Sequence, residues 1–264
     1  MAIIPPLIVV MEKACRSAAK GLVRDFGELE KLQISKKDKN DFVSSADIRA
    51  SETINYHLSK DRPDFLQIDE ETFSDKDYEK LQGDQPVFIF DPLDGTKNFL
   101  HGNGYFAVSI SLIEKKQIIA AATYNPILNE FYWAHKGEGA WNNNQRLRVS
   151  QRDKLEGSMF ATGVQIKHPD ILSRGIEQTA QMLHKTSVRI MGSAALDLAN
   201  VASGKFDGFW ASRLQLWDIA AGILLVKEAG GICQNEKGKE FNFLEDETLV
   251  ASSTTISSLF LQNL

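Results

Sequence analysis

The chain has 264 residues, 43% hydrophobic and 25% charged, with 18 Gly and 7 Pro, which fits one large globular domain or two closely packed lobes. A formal net charge of -5 argues against direct nucleic-acid binding, since phosphate backbones reward a basic surface; the run KKDK at 36–39, broken by an acid, is left as a place for a small anion. Cys15 and Cys233 stand far apart without CxxC spacing, which excludes a disulfide framework and points to a reducing cytoplasm, and five histidines without HxH, HExxH or HxxxH spacing give zinc no support.

The apolar start AIIPPLIVVM is too short to span a bilayer, lacks the positive leader of a signal peptide and carries two prolines. It reads as the entry to a core helix of a soluble chain with no membrane partner. LIVVMEKACRSAAKGLVRDF then carries apolar residues at helical spacing. A polar loop, KKDKNDFVSSAD, is expected before a second helix from about Ala46 to Ser59. Strand-like runs follow at 65–69, 87–90, 106–114, 117–125, 130–135 and 146–150, with GEGAW and NNNQ as turns. Their short links favour an antiparallel meander. From MFATG at 159–163 onward, short apolar strands alternate with helices such as DILSRGIEQTAQML and AALDLANVASG, the pattern of a layered α/β lobe with a mixed sheet. The polar stretch SQRDKLEG divides an N-terminal lobe, 1–150, from a C-terminal lobe, 151–264.

The run FIFDPLDGTKNFLHG, residues 88–102, carries the chemistry. Asp-Pro and Asp-Gly are ordinary turn dipeptides, and Asp at a strand end is often a solvated cap. Here, however, Asp91 emerges from an apolar run that reads as core, and Gly95 and Thr96 open a short helical segment suited to phosphate. Two carboxylates beside an anion repel one another unless a hard, oxygen-seeking cation such as magnesium lies between them. Further acids are at hand in Asp69, Glu70 and Glu71, at the end of a strand run, and in Asp218, at the head of the apolar helix DIAAGILLVKEAGG. Taken singly, these read as a charged loop and a helix N-cap.

Together, Glu70-Glu71, Asp91-Pro92-Leu93-Asp94-Gly95-Thr96 and Trp217-Asp218-Ile219-Ala220-Ala221-Gly222 resemble the fingerprint of the inositol monophosphatase family of magnesium-dependent, lithium-sensitive sugar phosphatases. VSSAD ending at Asp47, GEGAW at 137–141 and GSAALD at 192–197 match the family's order, so the resemblance covers nearly the whole chain. It implies an α/β (α+β) fold with αβαβα layers, a six-stranded antiparallel sheet beside a smaller mixed one, and often a homodimer. It implies magnesium held by the carboxylates of Glu70, Asp91, Asp94 and Asp218 and by the carbonyl of Leu93. Water on the metal, positioned by Glu70 and Thr96, would attack phosphorus in line without a phospho-enzyme, and Asp47 would orient the Thr96 hydroxyl. Gly95 and Thr96 N–H groups would hold the phosphate, and Gly192, Ser193 and Ala194 would contact the rest of the substrate.

The expected substrate is a small sugar, polyol or nucleotide phosphate. Alternatives are a phosphatase of 3'-phosphoadenosine 5'-phosphate or fructose 1,6-bisphosphate, and a regulatory partner of the transcription machinery. The chain departs from its family at Ala211, seven residues before Asp218, where relatives that hydrolyse inositol phosphates usually carry Glu to accept ring hydroxyls. Losing that acceptor is expected to relax selectivity and weaken the preference for inositol phosphate.

Overall fold

A computed structural model describes residues 4–29, 36–164 and 169–264, apart from the side chains of 29 and 36–44. The first helix, α1 (Pro6–Leu29), begins on a proline, whose missing N–H costs nothing at a helix start. The second, α2 (Lys36–Asp61), is longer than expected: KKDKNDFVSSAD is its first turns and not a loop. Ala46, Ala50, Ile54 and Leu58, four residues apart, form its buried stripe, and this packing outweighs the weak propensity of the polar start. The side chains of the basic run at 36–39 lie outside the described residues.

The first sheet runs in sequence order through β1 (Leu66–Asp69), β2 (Val87–Asp94), β3 (Ala107–Glu114), β4 (Gln117–Asn125), β5 (Glu130–His135), β6 (Gly139–Asn142) and β7 (Gln145–Arg146). The strands β2 to β7 are antiparallel to their neighbours, but the expected strand at 65–69, β1, pairs parallel to β2, and the sheet has seven strands where six were expected. The long connection through residues 70–86, two 3-10 segments, allows that same-direction return. Two further expectations need correction. GEGAW supplies strand β6 after a turn confined to 136–138, and the run 146–150 leaves the sheet after Arg146. Leu147 and Val149 are buried instead, with the Val149 N–H donating to the Ala229 carbonyl at 3.2 Å.

Both faces of this sheet are covered, so β2 is buried along its whole length. Phe88 and Phe90 face the core under α1 and α2, while Val87 and Ile89 face the opposite core. That second core lies against α5 (Ala194–Ala202) and α6 (Leu216–Glu228). Beyond these helices stands the second sheet, ordered β11 (Gly231–Gln234), β12 (Thr248–Ser253), β10 (Gly208–Ser212), β8 (Met159–Gly163) and β9 (Ser187–Arg189). It is mixed: β8 is parallel to β9 and β10, and β12 is antiparallel to β10 and β11. With α4 (Pro169–Leu183) and α7 (Ser257–Leu261) packed on this sheet, the layers read αβαβα. The middle helix layer is tight: a methyl on Gly222 of α6 would lie 2.4 Å from the Leu198 side chain of α5. Among the described residues no helix is long and apolar enough to cross a membrane.

Candidate active site

Residues three apart on a regular strand point to opposite faces, so Asp91 and Asp94 should not meet. A bulge brings them together. Asp91 pairs with Ser109 and Asp94 with Ala107, so β2 spends one residue more than β3 between the two pairs. Pro92 sits in this interruption, where a strand can do without its N–H. The Asp91 Oδ1 accepts the Leu93 N–H at 2.8 Å, and the Thr96 hydroxyl donates to the Leu93 carbonyl at 3.1 Å. Gly95 turns the chain into α3 (Thr96–Leu100) with φ +95°; a Cβ there would lie 3.0 Å from the Tyr105 carbonyl.

The second acidic group comes from the end of β1. Asp69 is buried and structural: it accepts the Ser51 hydroxyl, the Asn55 amide at 3.1 Å and the Glu71 N–H at 3.1 Å. This cap fixes the 3-10 turn that presents Glu70 towards Asp91 and Trp217. Phe73, just beyond, packs its ring edge-on to Trp217 at 4.9 Å and ties the turn to the start of α6. Glu71 is exposed and turns towards Asp47.

The C-terminal half supplies the rest. Ser193, the N-cap of α5, donates its hydroxyl to Asp94 Oδ2 at 2.5 Å, and the Ala195 N–H donates to the same oxygen at 2.8 Å. Asp218, in the first turn of α6, accepts the Gln215 N–H at 3.0 Å. One carboxylate oxygen from each of Asp91, Asp94 and Asp218 falls within 4.8 Å of the others. Asp94 and Asp218 form the floor of a cleft of about 250 Å³, walled by Gly163, Val164, Ile190, Gly192, Ser193 and Ala194 and closed by Asp197, Phe209 and Leu214. Larger hollows lie beside α6 and the 240–247 loop, away from the three clustered acids.

Electrostatics set these acids apart. Burial, then repulsion from Glu70, Asp94 and Asp218, holds the Asp91 carboxyl well above the usual carboxylate range. Asp218 is raised by burial and by Asp94 and Glu70, and Glu70 is raised mainly by burial. Asp94 rises to about 6 through burial, restrained by the donors from Ser193 and Ala195. Asp47 is pushed up to about 9 by burial and the neighbouring acids Glu71, Glu70 and Asp69. Such a cluster of buried oxygen donors, mutually repulsive, fits a hard divalent cation.

Sequence reasoning expected Asp47 behind Thr96. Instead the Asp47 carboxyl faces Glu71, its Oδ1 is buried without a partner, and the Thr96 hydroxyl is given to Leu93. Ala211 is buried in β10 and lines a neighbouring hollow that shares Leu214 with the cleft; a Cβ on Gly163 would approach its methyl to 3.5 Å. Gly192 also has positive φ, +83°, and a Cβ there would lie 3.2 Å from the Asn98 amide. Missed by sequence reasoning were Asp197, present only inside the GSAALD match, Tyr105, which donates to it, and the apolar wall of Val164, Ile190, Phe209 and Leu214.

Residues 5–264 match the family described as the inositol monophosphatase family. The inositol-1-monophosphatase of Caulobacter vibrioides is 41% identical over 261 residues, 96% of this chain and 99% of that protein. The Nus factor SuhB of Pseudomonas aeruginosa is 37% identical over 253 residues, 94% of this chain and 92% of that protein. The native crystal structure of extragenic suppressor protein suhB from Bartonella henselae superimposes with a TM-score of 0.86 at 40% identity, covering 98% of each chain.

Proposed function

This chain belongs to the inositol monophosphatase family, and from that premise we propose that it is a magnesium-dependent phosphatase releasing inorganic phosphate from inositol monophosphate or related small polyol phosphates. The observation that carries the reading is the meeting of Asp91, Asp94 and Asp218, with oxygens within 4.8 Å, two of them lining a cleft sized for a small molecule. Asp91, Asp94, Asp218, Glu70 and the Leu93 carbonyl would hold magnesium, which when bound neutralises phosphate charge and makes water a better nucleophile.

The chain's own groups divide the remaining work. Phosphate oxygens rest on the N–H groups of Gly95 and Thr96, at the turn that Gly95 alone permits. Glu70, presented by the turn that Asp69 caps, orients the attacking water and accepts its proton. Thr96, steadied by the Leu93 carbonyl, holds that water through its hydroxyl oxygen. Asp47 acts at one remove, through its proximity to Glu71 and Glu70. The alcohol lies along Gly192, Ser193 and Ala194, and its alkoxide takes a proton from water beside Asp218.

Phosphate release from inositol 1-phosphate, glycerol 2-phosphate, fructose 1,6-bisphosphate and 3'-phosphoadenosine 5'-phosphate tests this. Monoesters should be hydrolysed only with added magnesium, and millimolar lithium should inhibit when magnesium is limiting. Preference for either bisphosphate would move the chain to the corresponding branch of the superfamily. Relatives bearing the name Nus factor SuhB favour a second role, binding to the transcription machinery. Capture of RNA polymerase or its elongation factors from lysate, retained by Asp94→Asn, would show that role to be separate from hydrolysis.

A further inference from the structure

One carboxyl in the cleft has no part in the chemistry above. Asp197, in the first turn of α5, is 1% exposed yet lines the cleft with Asp94, Phe209 and Leu214. Its Oδ1 accepts the Tyr105 hydroxyl at 2.7 Å, and that hydroxyl in turn accepts the Asn200 amide at 2.9 Å. Among the described residues the carboxyl receives no other hydrogen bond. A buried polar group of this kind is normally paired, so its second oxygen calls for a partner from the cleft.

The surroundings say which partner. Val164, Phe209 and Leu214 are apolar, and Ile190 stands 59% exposed at the rim. Ser193 is committed to Asp94. Ala211 brings no acceptor and is buried in β10. Among the described residues, Asp197 is therefore the charged side chain on this side of the cleft that a substrate hydroxyl can meet. Tyr105 also fixes the carboxyl relative to the phosphate turn, because its own carbonyl accepts the Asn98 amide at 2.8 Å and closes over Gly95.

We propose that Asp197 is a specificity-determining residue, whose second oxygen hydrogen-bonds a hydroxyl of the substrate's alcohol moiety while Tyr105 and Asn200 hold the carboxyl in place. The assignment rests on the phosphatase reading and deepens it: the preferred ester has a hydroxylated alcohol. A site built around such a bond discriminates strongly against analogues that lack it, because its own buried group is then left unpaired.

The test compares kcat/KM for inositol 1-phosphate and for cyclohexyl phosphate, a ring of the same size without hydroxyls, at saturating magnesium. Wild type should favour the inositol ester by about 10²-fold or more. Asp197→Leu should lower that ratio roughly 10- to 100-fold, with cyclohexyl phosphate changed by no more than about threefold, and Asp197→Asn should recover part of it. Equal hydrolysis of both esters by wild type would overturn the proposal. So would equal loss on both esters in a folded Asp197→Leu, which would assign Asp197 to holding Tyr105 and α5 only. If Asp197→Leu does not fold, the wild-type ratio and Asp197→Asn decide. Failure of wild type to hydrolyse any phosphate ester would instead bring down the phosphatase reading, and this inference with it.

Discussion

The acid cluster draws Asp91, Leu93, Asp94, Gly95 and Thr96 from the single run 91–96, joined by Glu70 and Asp218, whereas the cleft wall collects Val164, Ile190, Asp197, Phe209 and Leu214 from separate elements. The first side is a local device, a bulge, a turn and a left-handed glycine, each with its own residue demands. The second exists only once α5, β8, β9 and β10 have packed. The two sides also differ in composition: burial and then mutual repulsion keep the acids from ionising, while the described side chains of the wall are apolar apart from Ser193 and one anchored carboxyl. Reaction type thus resides on the local side and choice of alcohol on the assembled side, and each can be broken without the other.

The largest effect is expected on the acid side. Asp94→Asn should reduce phosphate release to background under saturating magnesium, because it removes a central carboxylate of the cluster. The fold should survive: the amide oxygen can still accept from Ser193 or Ala195, and repulsion among the acids falls. Circular dichroism and a melting curve without metal check the second half. Wild-type turnover in this variant would show that the acids are not the reaction centre.

Next in size come Glu70→Gln and Thr96→Ala. Both residues act on the attacking water, so kcat should fall on the order of 10²- to 10⁴-fold while KM moves little. A change confined to KM would place both residues in substrate binding instead. Neither variant should alter the ratio between inositol and cyclohexyl esters, which belongs to the far wall.

This division follows what could be read along the chain. Asp-Pro-Leu-Asp-Gly-Thr is legible because every position answers a short-range demand, and the helix and strand periods were legible for most of the first sheet. The strand at 65–69 was legible but its parallel pairing with β2 was not, since pairing across residues 70–86 depends on packing and not on turn chemistry. Nor was the full length of α2, whose polar first turns precede the buried stripe of Ala46, Ala50, Ile54 and Leu58. Asp197 was quoted within GSAALD, yet nothing in that stretch tells that Tyr105, 92 positions earlier, donates to it. The exchange of the Thr96 hydroxyl from Asp47 to Leu93 is likewise a matter of fractions of a turn, below the reach of spacing.

A smaller effect should appear in the pH dependence of the metal-free protein. Asp94 at about 6, Asp197 at about 8 and Asp47 at about 9 all lie above the unfolded carboxylate value of about 4. Between that value and their own, the folded chain holds protons that the unfolded chain has lost, so stability falls as pH rises through this window. In chelator, the melting temperature should drop from pH 5 to pH 8.5. Magnesium should restore more of it at pH 8.5 than at pH 5, since binding then displaces fewer protons. A melting temperature that climbs with pH in chelator would show that these acids are not held protonated by burial and by one another.

The smallest effect is expected at position 211, on the assembled side. Ala211 lies against Gly163, which has no side chain of its own and lines the cleft, so a longer group at 211 has a path over Gly163 towards Leu214. Ala211→Glu would deliver a second acceptor beside the one assigned to Asp197. Because the alcohol's hydroxyl then already has a partner, the gain should be limited to roughly three- to tenfold in the preference for inositol 1-phosphate over glycerol 2-phosphate, about the worth of one modest hydrogen bond. Some stability should be lost, since a carboxyl enters a strand position that is 2% exposed. Measured in the Asp197→Leu background, the same substitution should count for more, because the wall then has no acceptor left to compete. A hundredfold gain in the wild-type background would mean that the wall lacks its acceptor and that Asp197 does not serve as one. No gain in either background would mean that the carboxyl never reaches the cleft, and that the exchange of Glu for Ala at 211 has no bearing on the choice of alcohol.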